Sequence, residues 1–163
     1  MLLLRLKIKI TSQLGKGSKI TMQLPLTLMV SRGLVVEVQG QLLVMPIDNV
    51  LEMVKVSADK LVKRRGKRIV YHRGEVLGVV SLADALNMPK QGLAKDTPIV
   101  VVTDGQAKVA MIVDKLLNEQ DILVKPLPDY LSMIRGLGGA TIMGDGKVAL
   151  VLNPVELIQS AIR

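Results

Sequence analysis

The sequence predicts a mainly β fold of the barrel or sandwich class. Short segments that alternate between apolar and polar residues recur at spacings of about 8–12 residues, which is typical of such folds. Glycine or proline separates most of these segments, as expected of tight turns. The 163 residues contain no βαβ alternation, no heptad pattern and no repeat of fixed length. We therefore expect one domain, or one domain with a further fragment.

Composition narrows the classes of function. Hydrophobic residues make up 49 % of the chain, but Tyr71 and Tyr130 are its only aromatics, so Val, Ile, Leu and nine Met must fill the core. The absence of Cys excludes disulfides, thiolate metal sites and a Cys nucleophile. The net charge of +8 favours anionic partners, whereas the shortage of aromatics weakens nucleic-acid binding by base stacking.

Neither a membrane span nor a secretion signal is predicted. The longest uncharged stretch, residues 20–31, contains Pro25 and is shorter than the roughly 20 apolar residues that a spanning helix needs. Arg5, Lys7 and Lys9 interrupt the apolar N-terminus, and no cleavage site follows them. We therefore expect no membrane insertion and a cytoplasmic location.

The first predicted element is a hairpin. Perfect alternation over residues 4–10 predicts a half-buried strand with a basic outer face. A glycine-containing turn follows at 14–18, and a second strand runs over 20–24 until Pro25 ends it. Gly15, Lys16 and Gly17 are interpreted as a plain turn, because a strand follows them and a phosphate-binding loop precedes a helix.

The next elements are a second hairpin and the connection that follows it. Gln39 and Gly40 lie between strands predicted at 34–38 and 41–45, and a turn follows at 46–48. The apolar segment 50–56 does not reveal its type. Residues 57–61 fit one helical turn capped by Ser57.

The densest run of charge, residues 63–68, comes next, with Gly66 at a turn inside it. This run could contact phosphates, or it could be a solubilising loop. Strands are predicted at 69–71 and 76–80 around a turn at Arg73 and Gly74. Ser81 and Asp84 form a capping box that predicts a helix ending near Met88, followed by a polar loop over 89–97.

The C-terminal third predicts two hairpins, a strand and a helix. Asp104 and Gly105 join strands at 99–103 and 107–113, and residues 144–146 join strands at 140–143 and 148–152. A short strand is predicted at 122–124 between the hairpins. The last element is a helix with Asn153 as N-cap, Pro154 in the first position and Glu156 at N3. Its predicted apolar face consists of Val155, Ile158, Ala161 and Ile162.

No catalytic, cofactor-binding or metal-binding arrangement emerges from the residues. His72 is the only histidine, so a multi-His metal site is excluded, and the chain has no Cys to add a ligand. We interpret it as a partly exposed strand residue. Asp114, Glu119 and Asp121 are close in sequence but fit a solvated face.

Several motifs, in order along the chain, resemble one family. Residues 15–28, which end in the letters LPLTL, resemble the junction where a hairpin closes the ATP-binding domain of the chemotaxis histidine kinase CheA family and the CheW-like regulatory domain begins. Residues 71–77, which contain Arg73, Gly74 and Glu75, are similar to the family's RGEV element. Residues 138–152 are similar to its GATILGDG hairpin.

The resemblance implies a CheW-like pair of small SH3-like β-barrels with a short internal helix and a C-terminal helix. Residues 1–28 would be the residual C-terminal hairpin of an ATP-binding domain, and residues 29–163 the CheW-like regulatory domain. The hairpin carries an exposed apolar face, so self-association through it is expected.

The function implied by the resemblance is non-catalytic, because the phospho-acceptor domain and the ATP pocket of the family have no counterpart in the sequence. The chain would be a regulatory module of a bacterial or archaeal chemotaxis kinase. It would couple a CheW-like coupling protein and chemoreceptor cytoplasmic tips to kinase control, in two-component signal transduction at membrane-associated receptor arrays. The alternative is a basic β-barrel that binds nucleic acid through residues 63–68.

The motif match also implies site residues. Glu52, Arg73 and Glu75 are predicted to bind the partner, although Glu52 and Arg73 could instead pair with each other inside the fold. Gly74, Gly144 and Gly146 are interpreted as residues that form turns, and no cofactor is implied.

Overall fold

The computed structural model describes residues 7–23 and 30–162, which form thirteen strands and two α-helices. The mainly β prediction with an internal and a C-terminal helix is confirmed. Leu4, Leu24 and Pro25 of the predicted first hairpin lie outside the described residues. The elements are β1 Lys7–Gln13, β2 Gly17–Gln23, β3 Val30–Val38, β4 Gln41–Pro46, β5 Val50–Ser57, β6 Val62–Arg64, β7 Lys67–His72, β8 Glu75–Ser81, α1 Leu82–Ala85, β9 Asp96–Thr103, β10 Lys108–Ile112, β11 Lys115–Leu123, β12 Leu137–Ile142, β13 Val148–Leu152 and α2 Pro154–Ile162.

The strands form three sheets. β1 and β2 make a two-stranded N-terminal hairpin. The chain then enters a five-stranded sheet through β3 and β4, passes through all of a six-stranded sheet, and returns to the five-stranded sheet through β11, β12 and β13. The six-stranded sheet has the order β5-β9-β10-β8-β7-β6, and the five-stranded sheet has the order β11-β3-β4-β13-β12.

The two larger sheets share one pairing scheme, although the sequence shows no repeat. In each, an edge strand pairs antiparallel with a hairpin, and that hairpin pairs in parallel with a second hairpin. The parallel contacts are β10 with β8 in one sheet and β13 with β4 in the other. Parallel strands cannot be joined by a tight turn, so these contacts come from segments distant in sequence.

Burial on both faces of the central strands builds the cores. The main core takes side chains from both sheets and from both helices, including Met45, Val100 and Ile158. Neighbouring residues of β9 face the other way: Ile99 and Val101 belong to a second core inside the six-stranded sheet. A third, smaller core lies inside the five-stranded sheet. Because strand side chains alternate between faces, one apolar strand serves two cores.

Neither larger sheet is a closed barrel with a continuous backbone ladder among the described residues. The five-stranded sheet comes nearest, because Lys125, just after β11, forms an isolated bridge with Ala140 of β12. Its two backbone N–H···O contacts measure 2.8 and 2.9 Å. Lys125 follows the edge strand β11 and Ala140 lies in the other edge strand, β12, so one bridge joins the two edges of this sheet.

Three hairpin turns have the two-residue form, whereas the turn predicted at Asp104 and Gly105 is a four-residue connection, residues 104–107, in which only Gly105 has positive φ. Gln39, Arg65 and Arg73 all have positive φ, and a glycine with positive φ follows each of them. Two successive left-handed residues define a type I′ turn, whose twist matches that of the paired strands. The residues at 63–68 therefore form a hairpin rather than an irregular loop.

Other elements differ from the prediction. Residues 50–57 are a strand, and the turn predicted at 57–61 is a 3-10 helix in which Ser57 makes no side-chain cap. The Ser81 hydroxyl does accept a hydrogen bond from the Asp84 N–H, but α1 ends at Ala85. It stops there because Asn87 turns left-handed and Met88 donates to the Ala83 carbonyl, which is a Schellman ending.

The last two differences concern β11 and α2. The strand predicted at 122–124 is the end of a much longer strand that starts at Lys115. The helix α2 forms as predicted, but its buried residues are Pro154, Leu157 and Ile158. Val155 and Ile162 are exposed, so the predicted apolar face was wrong in part.

Candidate interaction surface

A carboxylate, an imidazole and a guanidinium form a cluster where the six-stranded sheet curls towards closure. Glu52 lies on β5, an edge strand of the sheet, while His72 ends β7 and Arg73 begins the next turn. The Glu52 Oε2 atom lies 2.8 Å from His72 Nε2, and its Oε1 atom lies 2.8 Å from Arg73 Nη2. Each carboxylate oxygen therefore has its own partner. This cluster joins β5 to β7 by side chains, where no backbone ladder joins them.

The local backbone explains how Arg73 reaches Glu52. Arg73 and Gly74 form the type I′ turn between β7 and β8, with φ of +48° and +81°. A left-handed arginine is uncommon, but Arg65 adopts nearly the same φ, +47°, in the equivalent turn, so the type I′ turn sets the backbone of Arg73. Arg73 remains 76 % exposed, whereas the side chains of Glu52 and His72 are 27 % and 18 % exposed.

The surroundings keep Glu52 ionised. The hydrogen bond with His72 is the main cause that lowers the pKa of Glu52 from its ordinary value, and the charge of Arg73 adds to it. Partial removal from water opposes the shift without reversing it. At neutral pH the cluster therefore contains a carboxylate that accepts from both neighbours.

Glu75, the third predicted partner-binding residue, is also paired within the fold. Its two carboxylate oxygens lie 3.1 and 2.9 Å from Lys108 Nζ, which links β8 to β10. The internal pairing of Glu52 with Arg73, left open by the sequence, is thus the observed geometry. Arg73 and Glu75 remain largely exposed, so partner binding by these residues stays a prediction.

The three glycines singled out in the sequence differ in conformation. Gly74 and Gly146 have φ of +81° and +82°, a region that glycine enters without a steric cost. Gly144 lies in the turn before Gly146 but has no positive φ. Its position therefore does not require glycine for backbone reasons.

An exposed apolar face lies beside the Glu52 cluster, and the sequence reasoning missed it. Val62 is directly opposite Ile69, and Tyr71 is directly opposite Val76. We call these four residues the apolar outer face. Tyr71 is 59 % and Val76 55 % exposed. The sequence did offer a signal for this face. Ile69, Val70 and Tyr71 are consecutive in a strand, and Val70 enters the core, so its two neighbours must point outwards.

Two of the acidic residues near β11, Asp114 and Glu119, have separate structural partners. Asp114 accepts a hydrogen bond of 2.6 Å from the Gln39 N–H, and Glu119 lies 3.6 Å from Arg32. Among residues 7–23 and 30–162, no group of three or more His, Cys, Asp or Glu side chains could hold a metal ion. In the same ranges, no helix is both long and apolar enough to cross a membrane.

The fold consists of two curled β-sheets around a shared core, with a helix at the C-terminal end of the described residues. The crystal structure of the scaffolding protein TtCheW from Thermoanaerobacter tengcongensis superposes with a TM-score of 0.67 at 23 % identity. The match covers 77 % of this chain and 90 % of that one. The family model described as the CheW-like domain matches residues 32–161, and the chain belongs to this family.

The chain is also similar to chemotaxis kinases. It is 36 % identical over 156 residues to the sensor histidine kinase CheAY of Helicobacter pylori, covering 94 % of this chain and 19 % of that protein. It is 33 % identical over 151 residues to the chemotaxis protein CheA of Borreliella burgdorferi, covering 92 % of this chain and 18 % of that protein. The chain thus spans about a fifth of the length of these curated relatives.

These matches confirm the resemblance to the CheW-like region of CheA proteins. The match to the CheW-like family begins at residue 32 and therefore excludes the N-terminal hairpin, whereas the matches to CheA proteins cover more than nine-tenths of the chain. The matched family and these relatives point to chemotaxis, so the nucleic-acid alternative gains no support.

Proposed function

We propose that this chain is a non-catalytic regulatory module of a chemotaxis kinase. In this role it binds a CheW-type coupling protein and the cytoplasmic tips of chemoreceptors, and it passes receptor state to kinase control. The observation that carries the proposal is the match of residues 32–161 to the CheW-like domain within a chain similar to CheA proteins. The site of action is the cytoplasmic side of receptor arrays.

Surface chemistry supports a binding role for the six-stranded sheet. Protein interfaces combine apolar anchors with a polar rim. The apolar outer face supplies anchors, with Tyr71 as its one aromatic residue. Arg73 in the turn and Glu75 at the start of β8 lie next to Tyr71 and Val76 in the chain and supply an exposed polar rim.

The Glu52 cluster contributes to binding by positioning rather than by direct contact. Glu52 is mostly covered, so a partner meets the guanidinium of Arg73 and not the carboxylate. The ion pair holds Arg73 in one place, which reduces the conformational entropy that binding would otherwise cost. Partner binding therefore depends on Glu52 through Arg73.

The test is a calorimetric titration of the chain with its cognate CheW-type protein, at concentrations of about 10–100 μM, where modest interfaces are measurable. Arg73→Ala should weaken binding without lowering the melting temperature, since the exposed guanidinium contributes little to folding. Arg32→Ala is the matched control, because Arg32 is also exposed and pairs with Glu119 on the other sheet. The control should bind as the unmodified chain does.

Three results would contradict the proposal. No binding of the unmodified chain in this range removes the adaptor role. Unfolding of the Arg73→Ala variant shows that the residue serves the fold and not the partner. ATP turnover by the chain would contradict its non-catalytic character.

The domain division is part of the proposal. Residues 1–28 correspond to the last hairpin of an ATP-binding domain, and residues 29–163 to the regulatory domain. The described part of the hairpin pairs Ile8 with Met22 and Ile10 with Ile20, all exposed on one face. A two-stranded hairpin is marginally stable alone, so this face should pack against another sheet or a second copy of the chain.

A further inference from the structure

The hairpin of β6, β7 and the turn between them carries charge that the proposed function does not use. We call it the basic hairpin. Its cationic side chains are Lys63, Arg64, Arg65, Lys67 and Arg68. Within residues 7–23 and 30–162, none of the five forms an ion pair with a carboxylate. We propose that the basic hairpin docks an acidic, extended segment of a partner protein.

The strand register places like charges directly opposite each other. Lys63 is paired with Arg68, and Arg64 is paired with Lys67. Side chains in such pairs are close neighbours on one face of the sheet, and like charges there destabilise the free hairpin. A carboxylate bound beside each pair relieves this repulsion. The arrangement therefore weakens the free state and favours the anion-bound state.

The basic hairpin also offers an open backbone edge. β6 is the last strand of the six-stranded sheet, and no described strand pairs along its outer side. In a two-residue hairpin the residues that flank the turn, here Arg64 and Lys67, exchange backbone hydrogen bonds, and the next pair does not. The N–H and C=O of Lys63 therefore point to the open edge. An extended peptide can pair with them as an added strand.

The geometry specifies the partner's chemistry. Lys63 and Arg64 are consecutive in a strand, so their side chains project to opposite faces. A matching added strand needs carboxylates at consecutive positions rather than at alternate ones. Val62 is 39 % exposed next to Lys63 and continues the apolar outer face, so an apolar residue beside the acidic run fits the same edge.

The test is a titration of the full chain with a labelled, end-capped hexaglutamate peptide, followed by fluorescence anisotropy. Binding should be measurable at low salt and should weaken as salt screens the charges. Hydrogen exchange at the Lys63 amide should slow in the complex, because an added strand gives that N–H a partner. A hexaglutamate that is N-methylated at every residue keeps its carboxylates but should give no such protection, because both of its backbone edges are blocked.

Matched variants locate the site. Replacing Lys63, Arg64 and Lys67 together with Gln should weaken binding about tenfold, since each exposed charge contact contributes modestly. The control replaces Lys16, Lys90 and Lys95, three exposed lysines outside the basic hairpin, with Gln, and should change affinity less than about twofold. The triple variant should melt at or above the temperature of the unmodified chain, because the like-charge pairs are removed.

Three outcomes would overturn the proposal. Equal weakening in the two variants means that general charge and not the basic hairpin binds the peptide. An unprotected Lys63 amide in the complex excludes strand addition. A hexathymidylate oligonucleotide that binds at least as tightly as hexaglutamate assigns the hairpin to nucleic acid instead. None of these outcomes depends on the CheW-type partner, so the proposed function is tested separately.

Discussion

Two buried glycines, Gly136 just before β12 and Gly139 within it, are predicted to resist substitution for different reasons. A Cβ atom on Gly139 would lie 2.8 Å from the carbonyl oxygen of Lys125, at the bridge that joins the two ends of the sheet. A Cβ atom on Gly136 would lie 2.5 Å from Leu157 Cδ2, and Gly136 also has φ of +85°. Alanine at Gly139 thus meets a steric cost alone, and alanine at Gly136 meets a steric and a backbone cost.

Two exposed glycines nearby serve as references. Gly146 has φ of +82°, but a Cβ atom there would have no neighbour within 4 Å, so alanine should cost about 1–2 kcal/mol for the left-handed backbone. Gly144 has neither constraint, and alanine should be neutral or stabilising by up to about 1 kcal/mol. Overpacking adds about 1–3 kcal/mol. Gly139→Ala should therefore cost about 1–3 kcal/mol, and Gly136→Ala about 2–5 kcal/mol.

The assay is urea unfolding followed by far-UV circular dichroism, because the chain has no Trp to report fluorescence. For a chain of this size each kcal/mol also lowers the melting temperature by roughly 2–4 °C. The expected order of stability is Gly144→Ala, Gly146→Ala, Gly139→Ala and Gly136→Ala, from highest to lowest. If Gly139→Ala is as stable as Gly144→Ala, the reasoning about the bridge is refuted. Equal stability of the Gly136 and Gly146 variants would show that Leu157 yields without cost.

Three further predictions concern other regions. Glu52→Gln should lower stability at neutral pH, and the difference in urea midpoint from the unmodified chain should vanish as the pH falls below 4.5. The reason is that the hydrogen bond from His72 lowers the pKa of Glu52. The stabilisation by ionised Glu52 is therefore complete above the ordinary value of 4.5 and is lost when the carboxylate is protonated. A pH-independent difference would contradict this origin. Thr141→Val should raise the free energy of unfolding, read from urea curves, by about 1 kcal/mol, because the buried Thr141 hydroxyl has no hydrogen-bond partner. A loss of stability would mean that the hydroxyl does form a hydrogen bond. Sedimentation velocity of the unmodified chain should show a mass that rises with concentration. The Ile10→Lys variant should be a monomer, whereas Thr11→Lys, on the opposite face of the hairpin, should still associate. A constant monomer mass of the unmodified chain would exclude self-association.

Local signals in the sequence predicted the elements whose causes lie within a few residues. The pair Gln39 and Gly40 formed the expected tight turn, because two left-handed residues are sterically easiest with glycine present. Ser81 capped α1, and Asn153 accepted the Glu156 N–H at the start of α2. Each of these interactions spans at most four residues, so the chain carries the information locally.

The errors fell where burial depends on neighbours from elsewhere in the chain. The prediction covered only two of the nine residues of β11, because most residues of this strand are exposed and their polarity breaks the alternation. Its register against β3 also shifts between Leu116 and Glu119. The buried side of α2 was misplaced because the pattern marks apolar residues, whereas the sheet beneath the helix decides which of them it covers.

The candidate site shows the same division. The family motifs singled out Glu52, Arg73 and Glu75, but nothing local indicated that His72 would bond to a carboxylate twenty positions earlier. That contact exists because the sheet curls and brings β5 beside the end of β7. Curvature is a property of the whole sheet.

The sequence by itself determined the class of fold, the tight turns, the helix starts and membership of the CheW-like family. Alternation, glycine conformations and capping hydroxyls act over a few residues and need no distant partner. Tertiary structure alone decided the parallel contacts, the bridge of Lys125 with Ala140 and the Glu52 cluster. These join segments far apart in sequence, and their formation depends on loop closure and on the packing of both sheets around one core.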